Sequence, residues 1–324
     1  MSAEKPVGVF ILGDVPPEKI VPLSQQVEAC GFDELWFAED YFMISGFASA
    51  GMALQATRDI KVGVGAVSAV VRHPGVTAME ASTLSRAHPG RFKLGIGHGV
   101  PAWTRQMHLY PKSVITAMRE SVTGVKRLLK GDEITETGEY FGFDKVSLTH
   151  PAPDLKVLTA VVGPKSIDLC ADIADGMMVS VLGGPKYVET AHNRIAARRG
   201  DTDFEMITYT LASVGRDAAK KREDVRAATA FYLDAMGPMY ISDVYGISEE
   251  TAAIIARGGA GALEKEMPDD WLDFLAIAGT PADCEAGINK FFDAGSTAVV
   301  LCIVPSEELP EQLDLIGKEV LPNL

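Results

Sequence analysis

Much that would announce a function is missing from this chain of 324 residues. Cysteine is scarce and scattered: Cys30, Cys170, Cys284 and Cys302 form no CxxC pair and no Cys/His spacing, so neither a disulfide framework nor a metal site is expected. Such thiols suit a reducing, cytoplasmic setting. No run of about 18 apolar residues is present, so no membrane span is expected. The N-terminal MSAEKPVGVF has no charged region ahead of an apolar stretch, and a secretion signal is not expected either. Positive charge is in deficit, 30 Lys and Arg against 44 Asp and Glu, a net charge of -14. That balance argues against a nucleic-acid surface, and an anionic ligand would need local backbone donors or a local cation. There is no GxSxG elbow, no HExxH helix and no P-loop, and no Cys/His nucleophilic pair is evident.

What is there is alternation. Short, nearly all-apolar runs predict strands at Val7–Leu12, Glu34–Ala38, Lys61–Val67, Phe92–Gly97, Lys156–Val162, Met177–Val181, Met206–Val214 and Ala298–Val304. Runs of this kind are expected where both faces of a sheet are covered. Helical stripes lie between them. Ile20, Leu23, Val27 and Cys30 precede Gly31; Ile115, Met118, Val122, Val125 and Leu129 precede Gly131; and Ala282–Ala294 enters from Thr280-Pro281 and ends at Gly295. Eight strand–helix units of this length fit a TIM (β/α)8 barrel of the α/β class, with an open doubly wound sheet as the alternative. The chain reads as one domain over residues 1–324. Insertions at about 100–111 and 231–271 are expected at the C-terminal face of the strands.

In a barrel the chemistry lies at the C-terminal ends of the strands. Strand three ends in GVGAVS (Gly63–Ser68), where bulk is cleared, and glycine inside a strand marks a bulge or the close approach of something to the backbone. Strand four ends in GIGHGV (Gly95–Val100), whose successive N–H groups can form an anion nest. It is not a dinucleotide fingerprint, because Val100 stands at the third glycine position. Strand five ends in VGPKS (Val162–Ser166), which opens a helix and so presents free N–H groups and a positive dipole end. Strand two ends in Glu39-Asp40-Tyr41, where a carboxylate can donate a proton, accept hydrogen bonds, cap a helix or pair with a cation. His73, ahead of Pro74, reads as a capping residue, and His98 as the better ligand contact.

These stretches, in this order, resemble the bacterial luciferase-like superfamily of flavin and deazaflavin barrels. The likeness is carried by LWFAEDYF (Leu35–Phe42), VGVGAVSAVVRHPGVTA (Val62–Ala78), GRFKLGIGHG (Gly90–Gly99), LLKGDEITETGEYF (Leu128–Phe141), VVGPKSIDLCADIADGMMVS (Val161–Ser180) and AGTPADCEAGINKFFDAG (Ala278–Gly295). Within it the chain looks most like the methylenetetrahydromethanopterin reductase branch, which uses coenzyme F420. The resemblance implies a non-prolyl cis peptide at Gly65-Ala66 that backs the middle of the deazaflavin ring. It also implies a cofactor site made by Asp40, Gly65, Ala66, Ser68, Gly97, His98, Gly99, Val162, Gly163 and Pro164. The chain departs from the branch at Val100, where relatives carry an acid, and at Tyr41, where they carry histidine. Asp40, Tyr41 and His98 remain as the groups expected to handle protons.

The function this implies is an F420-dependent oxidoreductase that moves a hydride between the deazaflavin and a small organic substrate. An FMN-dependent monooxygenase of the same superfamily and a non-catalytic deazaflavin-binding protein are the alternatives. Met236, Met239, Tyr240, Tyr245 and Trp271 of the second insertion are expected to cover an apolar substrate pocket. A homodimer is expected from the resemblance and from base rate.

Overall fold

The computed structural model describes residues 5–200 and 203–324. Residues 1–4, the start of the stretch read above for a leader, lie outside the described residues, as do 201 and 202. The strands are β1 (Val7–Ile11), β2 (Glu34–Phe37), β3 (Lys61–Ser68), β4 (Phe92–Gly97), β5 (Ile134–Thr137), β6 (Gly142–Val146), β7 (Val157–Ala160), β8 (Gly176–Val179), β9 (Glu205–Val214), β10 (Ala276–Gly279) and β11 (Ala298–Ile303). Eight of them pair in parallel as β11-β1-β2-β3-β4-β7-β8-β9, and β9 pairs back to β11. The sheet is closed, which rules out the open doubly wound alternative. It is a TIM barrel surrounded by helices, and its eight strands are the eight expected ones.

The helices begin and end for local reasons. The helix Val114–Lys130 starts where the Ser113 hydroxyl accepts the Thr116 N–H, and it stops at Gly131, whose φ of 98° is the left-handed conformation that glycine adopts freely. The helix Pro281–Asp293 has a reciprocal capping box, Thr280 with Asp283. Among the described residues, no helix is long and apolar enough to cross a membrane.

Three elements differ from expectation. The β5–β6 hairpin is an antiparallel pair outside the barrel, and its polar strand ITET buries only Ile134, so it carries no apolar run. Strand β10 is four residues long and follows the helix Leu272–Leu275 directly, with no turn residue to mark it. It pairs with Leu211–Val214 at the upper half of β9. The second insertion opens at the helix Ala218–Met236, capped by Asp217, so Phe231 lies inside that helix and not at a boundary. The first contains one short helix, Pro101–Gln106.

The barrel interior explains most of the glycines on β3 and β4. Trp36, Tyr209 and Phe10 pack edge to face, with ring centroids 5.9 Å apart for Trp36–Tyr209 and 4.9 Å for Phe10–Tyr209. A Cβ at Gly63 would overlap the Trp36 ring, one at Gly65 would lie 2.6 Å from Met178 Cε and overlap the Tyr209 hydroxyl, and one at Gly95 would overlap Met178 Sδ. What comes close to the backbone here is the protein's own core. At the other end of the barrel the Trp36 indole N–H donates to Glu34 at 2.8 Å, and the Lys93 ammonium bridges Glu34 at 2.6 Å and Glu205 at 3.0 Å. Gly63→Ala therefore overpacks the plug and is expected to cost about 1–3 kcal/mol, read as a lower urea midpoint at unchanged m-value; an unchanged midpoint contradicts the packing described.

Candidate active site

Strand β3 is irregular where it reaches the mouth. Val64 pairs with Leu94 and Val67 with Ile96, so two residues, Gly65 and Ala66, face one, Gly95. The Gly65–Ala66 peptide is cis, as the resemblance implied, and Tyr41–Phe42 is a second non-prolyl cis bond that sequence reading did not raise. Beyond the bulge the side chains are small. A Cβ at Gly97 would lie 3.3 Å from Ala160 Cβ and 3.5 Å from Ala66 Cβ, so Ala66, Gly97 and Ala160 form a low floor across three neighbouring strand ends. Ser68 is buried beside Gly97 and packs against Gly99. Gly99 has φ +78°, and a Cβ there would sit 2.5 Å from Ser68 Oγ.

The two anion-ready loops are joined. His98 Nε2 lies 3.1 Å from the Ser166 hydroxyl in the first turn of the helix Pro164–Ile173. His98 Nδ1 is buried with no hydrogen-bond partner by geometry among the described residues, and burial, opposed by the nearby Val114 backbone, holds the imidazole below its ordinary pKa, so it is neutral near pH 7. The helix has no side-chain cap; Gly163 is its N-cap, and a Cβ there would meet nothing within 4 Å. The Val162 carbonyl is taken by the Tyr187 hydroxyl at 2.7 Å, whereas Lys165 is exposed and the side-chain direction at Gly163 is empty.

The acidic strand end divides its two carboxylates between two fates. Glu39 is buried in a bidentate pair with the Arg72 guanidinium, and it also accepts the Tyr41 hydroxyl at 2.9 Å and the Gly46 N–H at 3.3 Å. This is the structural ion pair that a carboxylate here most often makes. It also commits the Tyr41 proton, since burial and then the Glu39 charge push the phenol well above its ordinary pKa. Asp40 pairs with no cation among the described residues. Its carboxyl is pushed up by burial first and then by Asp14, with the Gly13 N–H and Glu39 as opposing minor influences. A Cβ on Gly13 would lie 3.0 Å from Asp40 Oδ2.

Some residues of the mouth were not legible. Asp14 lies in the turn that follows β1, and the rule that places chemistry beyond strand ends finds it there. Tyr232, from the helix Ala218–Met236, has its phenol pKa raised by burial first, then by Cys302, Asp40 and Asp14. Nothing in the local sequence marks it. Of the residues expected over the pocket, Met236 is placed at a strand end, with the Ser180 hydroxyl 4.0 Å from its sulfur. Tyr245 instead stacks on Phe274 at 4.2 Å, Tyr240 meets Tyr187 at 6.1 Å, Met239 heads the helix Tyr240–Tyr245, and Trp271 is buried. These pack the insertion onto the barrel. His73 caps the helix Pro74–Ala87, accepting the Gly75 N–H at Nδ1 and lying 3.0 Å from the Gly142 carbonyl at Nε2.

Asp40 gives a test that needs no ligand. Its folded pKa is raised above the unfolded value, so its favourable contribution belongs to the protonated form and is lost as pH rises through the folded pKa. Asp40→Asn is expected to raise Tm at about pH 8, with the gain shrinking toward about pH 3, where the wild-type carboxyl is protonated in both states. Asp14→Asn lowers the Asp40 pKa and moves the same transition to lower pH. A gain independent of pH contradicts this account.

Comparison with known proteins agrees with the geometry. The sequence profile of the luciferase-like monooxygenase family matches residues 5–298. The chain is 29% identical to a 5,10-methylenetetrahydromethanopterin reductase of Methanolobus tindarius over 97% of this chain and 99% of that one. It is 28% identical to the reductase of the same name from Archaeoglobus fulgidus, over 96% and 98%. Its fold superposes on the coenzyme F420-dependent tetrahydromethanopterin reductase of Methanopyrus kandleri with a TM-score of 0.86, at 26% identity and 99% coverage of both chains. The chain is an enzyme of the luciferase-like monooxygenase family.

Proposed function

We propose that this protein is a coenzyme F420-dependent oxidoreductase acting on a small organic substrate. The observation that carries the reading is the mouth of β3, β4 and β7: a bulged strand end, a floor of Ala66, Gly97 and Ala160, and beside it an uncapped helix N-terminus open to solvent at Gly163. A flat tricyclic ring suits the floor, and an anionic tail suits free N–H groups at the positive end of a helix dipole. Its relatives from three archaea are reductases of tetrahydromethanopterin compounds, and that of Methanopyrus kandleri is coenzyme F420-dependent.

In this reading Gly65, Ala66 and Gly97 back the ring. Asp40, Ser68, His98 and Gly99 border it. Val162, Gly163 and Pro164 hold the phosphate-bearing tail. When bound, the deazaflavin supplies a carbon that gives or takes a hydride. The chain's own part is to orient substrate over that face and to manage one proton. Asp40 is the residue for that role: it is half-buried, unpaired and holds its proton to higher pH than an ordinary aspartate. Tyr41 and His98 stand behind it, Tyr41 with its proton directed to Glu39 and His98 as a neutral donor or acceptor toward Ser166. The same reading takes the chain to be one barrel domain working as a cytoplasmic homodimer.

Fluorescence titration of the full chain with F420, and separately with FMN, tests the cofactor. Gly163→Val is the informative variant, because its φ of -80° suits any residue and its side-chain direction is empty. It is expected to change stability by no more than about 1 kcal/mol and to weaken F420 by about tenfold or more. FMN binding with no response to F420 makes the protein a flavin enzyme of the family. F420 binding without turnover of any alcohol, imine or enoate acceptor makes it a carrier.

A further inference from the structure

The distal side of the mouth carries a second message. Ten large apolar side chains are exposed among the described residues, and five of them stand in two short segments that continue β2 and β4. Phe42 is 73% exposed and Met43 60%, at the tip of a turn in which the Met43 and Ile44 N–H groups close onto the Asp40 carbonyl. Val100, Leu109 and Tyr110 are each at least 40% exposed, in the segment that follows Gly99. The two segments touch, Tyr41 meeting Trp103 edge-on with centroids 6.2 Å apart.

This rim is continuous with the candidate site. Met43 Cβ lies against Gly13, the residue that abuts the Asp40 carboxyl, and Val100 follows the glycine packed on Ser68. Its arginines are occupied. Arg72 is held by Glu39 and Glu80, and the Arg105 guanidinium sits over the Tyr110 ring at 4.2 Å. Asp14 is exposed and near enough to Asp40 to raise its pKa, so acids border the rim, and a carboxylate there repels an anion. Five exposed apolar side chains beside two acids form a poor surface for a phosphorylated or carboxylated molecule and a good one for hydrocarbon.

We propose that the substrate of this site is an uncharged, mainly hydrocarbon molecule, gripped on its distal side by Phe42, Met43, Val100, Leu109 and Tyr110. The proposal rests on the functional reading above for where the cofactor lies, but its test does not depend on turnover. The neutral dye Nile red is titrated into the full chain with and without F420, then displaced by straight-chain secondary alcohols of increasing length and by carboxylates of matched length. The displacement constant is expected to fall about fourfold per added methylene for the alcohols, the burial value for one CH2, with the carboxylates far weaker. The double variant Phe42→Ser/Val100→Asp is expected to weaken the longer alcohols about tenfold while its F420 affinity stays at the wild-type value.

Several results overturn the proposal. They are the absence of dye binding, displacement independent of chain length, and carboxylates competing as well as alcohols, as they would if His108 or Lys112 recruited anions. Sedimentation supplies one more: if the double variant changes only the association state of the chain, the rim is a contact between copies. A chain that shows the chain-length series but does not bind F420 refutes the cofactor and keeps the apolar site.

Discussion

The packing of Trp36 across β3 is the constraint from which the rest follows. The indole lies where a side chain at Gly63 would be, its N–H is held by Glu34, and Tyr209 and Met178 complete the plug over Gly65 and Gly95. Filling the barrel in this way leaves β3 and β4 with almost no side chains pointing inward over their upper halves. The level of the floor at Ala66 and Gly97 is therefore set from below, by bulky groups on β2, β8 and β9. A site made by removing side chains needs such support, because an unfilled interior under it would have collapsed.

Above the floor, the electrostatics separate structure from chemistry within one dipeptide. Glu39 is consumed by Arg72, Tyr41 and the Gly46 amide, and so anchors the turn after β2. Its neighbour Asp40 pairs with no cation among the described residues and feels the charge of Asp14. Where the resemblance implies an acid after the β4 glycines this chain has Val100, and the function proposed above therefore gives the proton to Asp40. The same replacement helps make the rim apolar.

How much of this could be read from sequence depended on periodicity and punctuation. The eight barrel strands are buried on both faces and show as apolar runs, and helices that end at Gly31, Gly131 and Gly295 show as stripes with a stop. The hairpin Ile134–Val146 was invisible because its strands are polar, and β10 because AIAG continues a helix without a break. The cis bond at Gly65–Ala66 came from resemblance; the glycines alone said only that something is close. That something proved to be Trp36, Tyr209 and Met178, from three other strands, and no local pattern reports such contacts. Tyr232 is illegible for the same reason, while Asp14 is legible from its place beyond the end of β1. The roles of Trp271, Tyr240 and Tyr245 were assigned to the pocket on composition, but aromatic and methionine content does not distinguish a lid's lining from its attachment.

The account stands or falls on where the ring lies. The most direct measurement is a crystal structure of the protein soaked with F420. The account places the deazaflavin against the Ala66–Gly97 floor, its tail at Gly163–Ser166 and its open face toward Asp40 and the Phe42–Val100 rim. Density for the ring anywhere else, or on the floor with its tail directed away from Gly163, would contradict it.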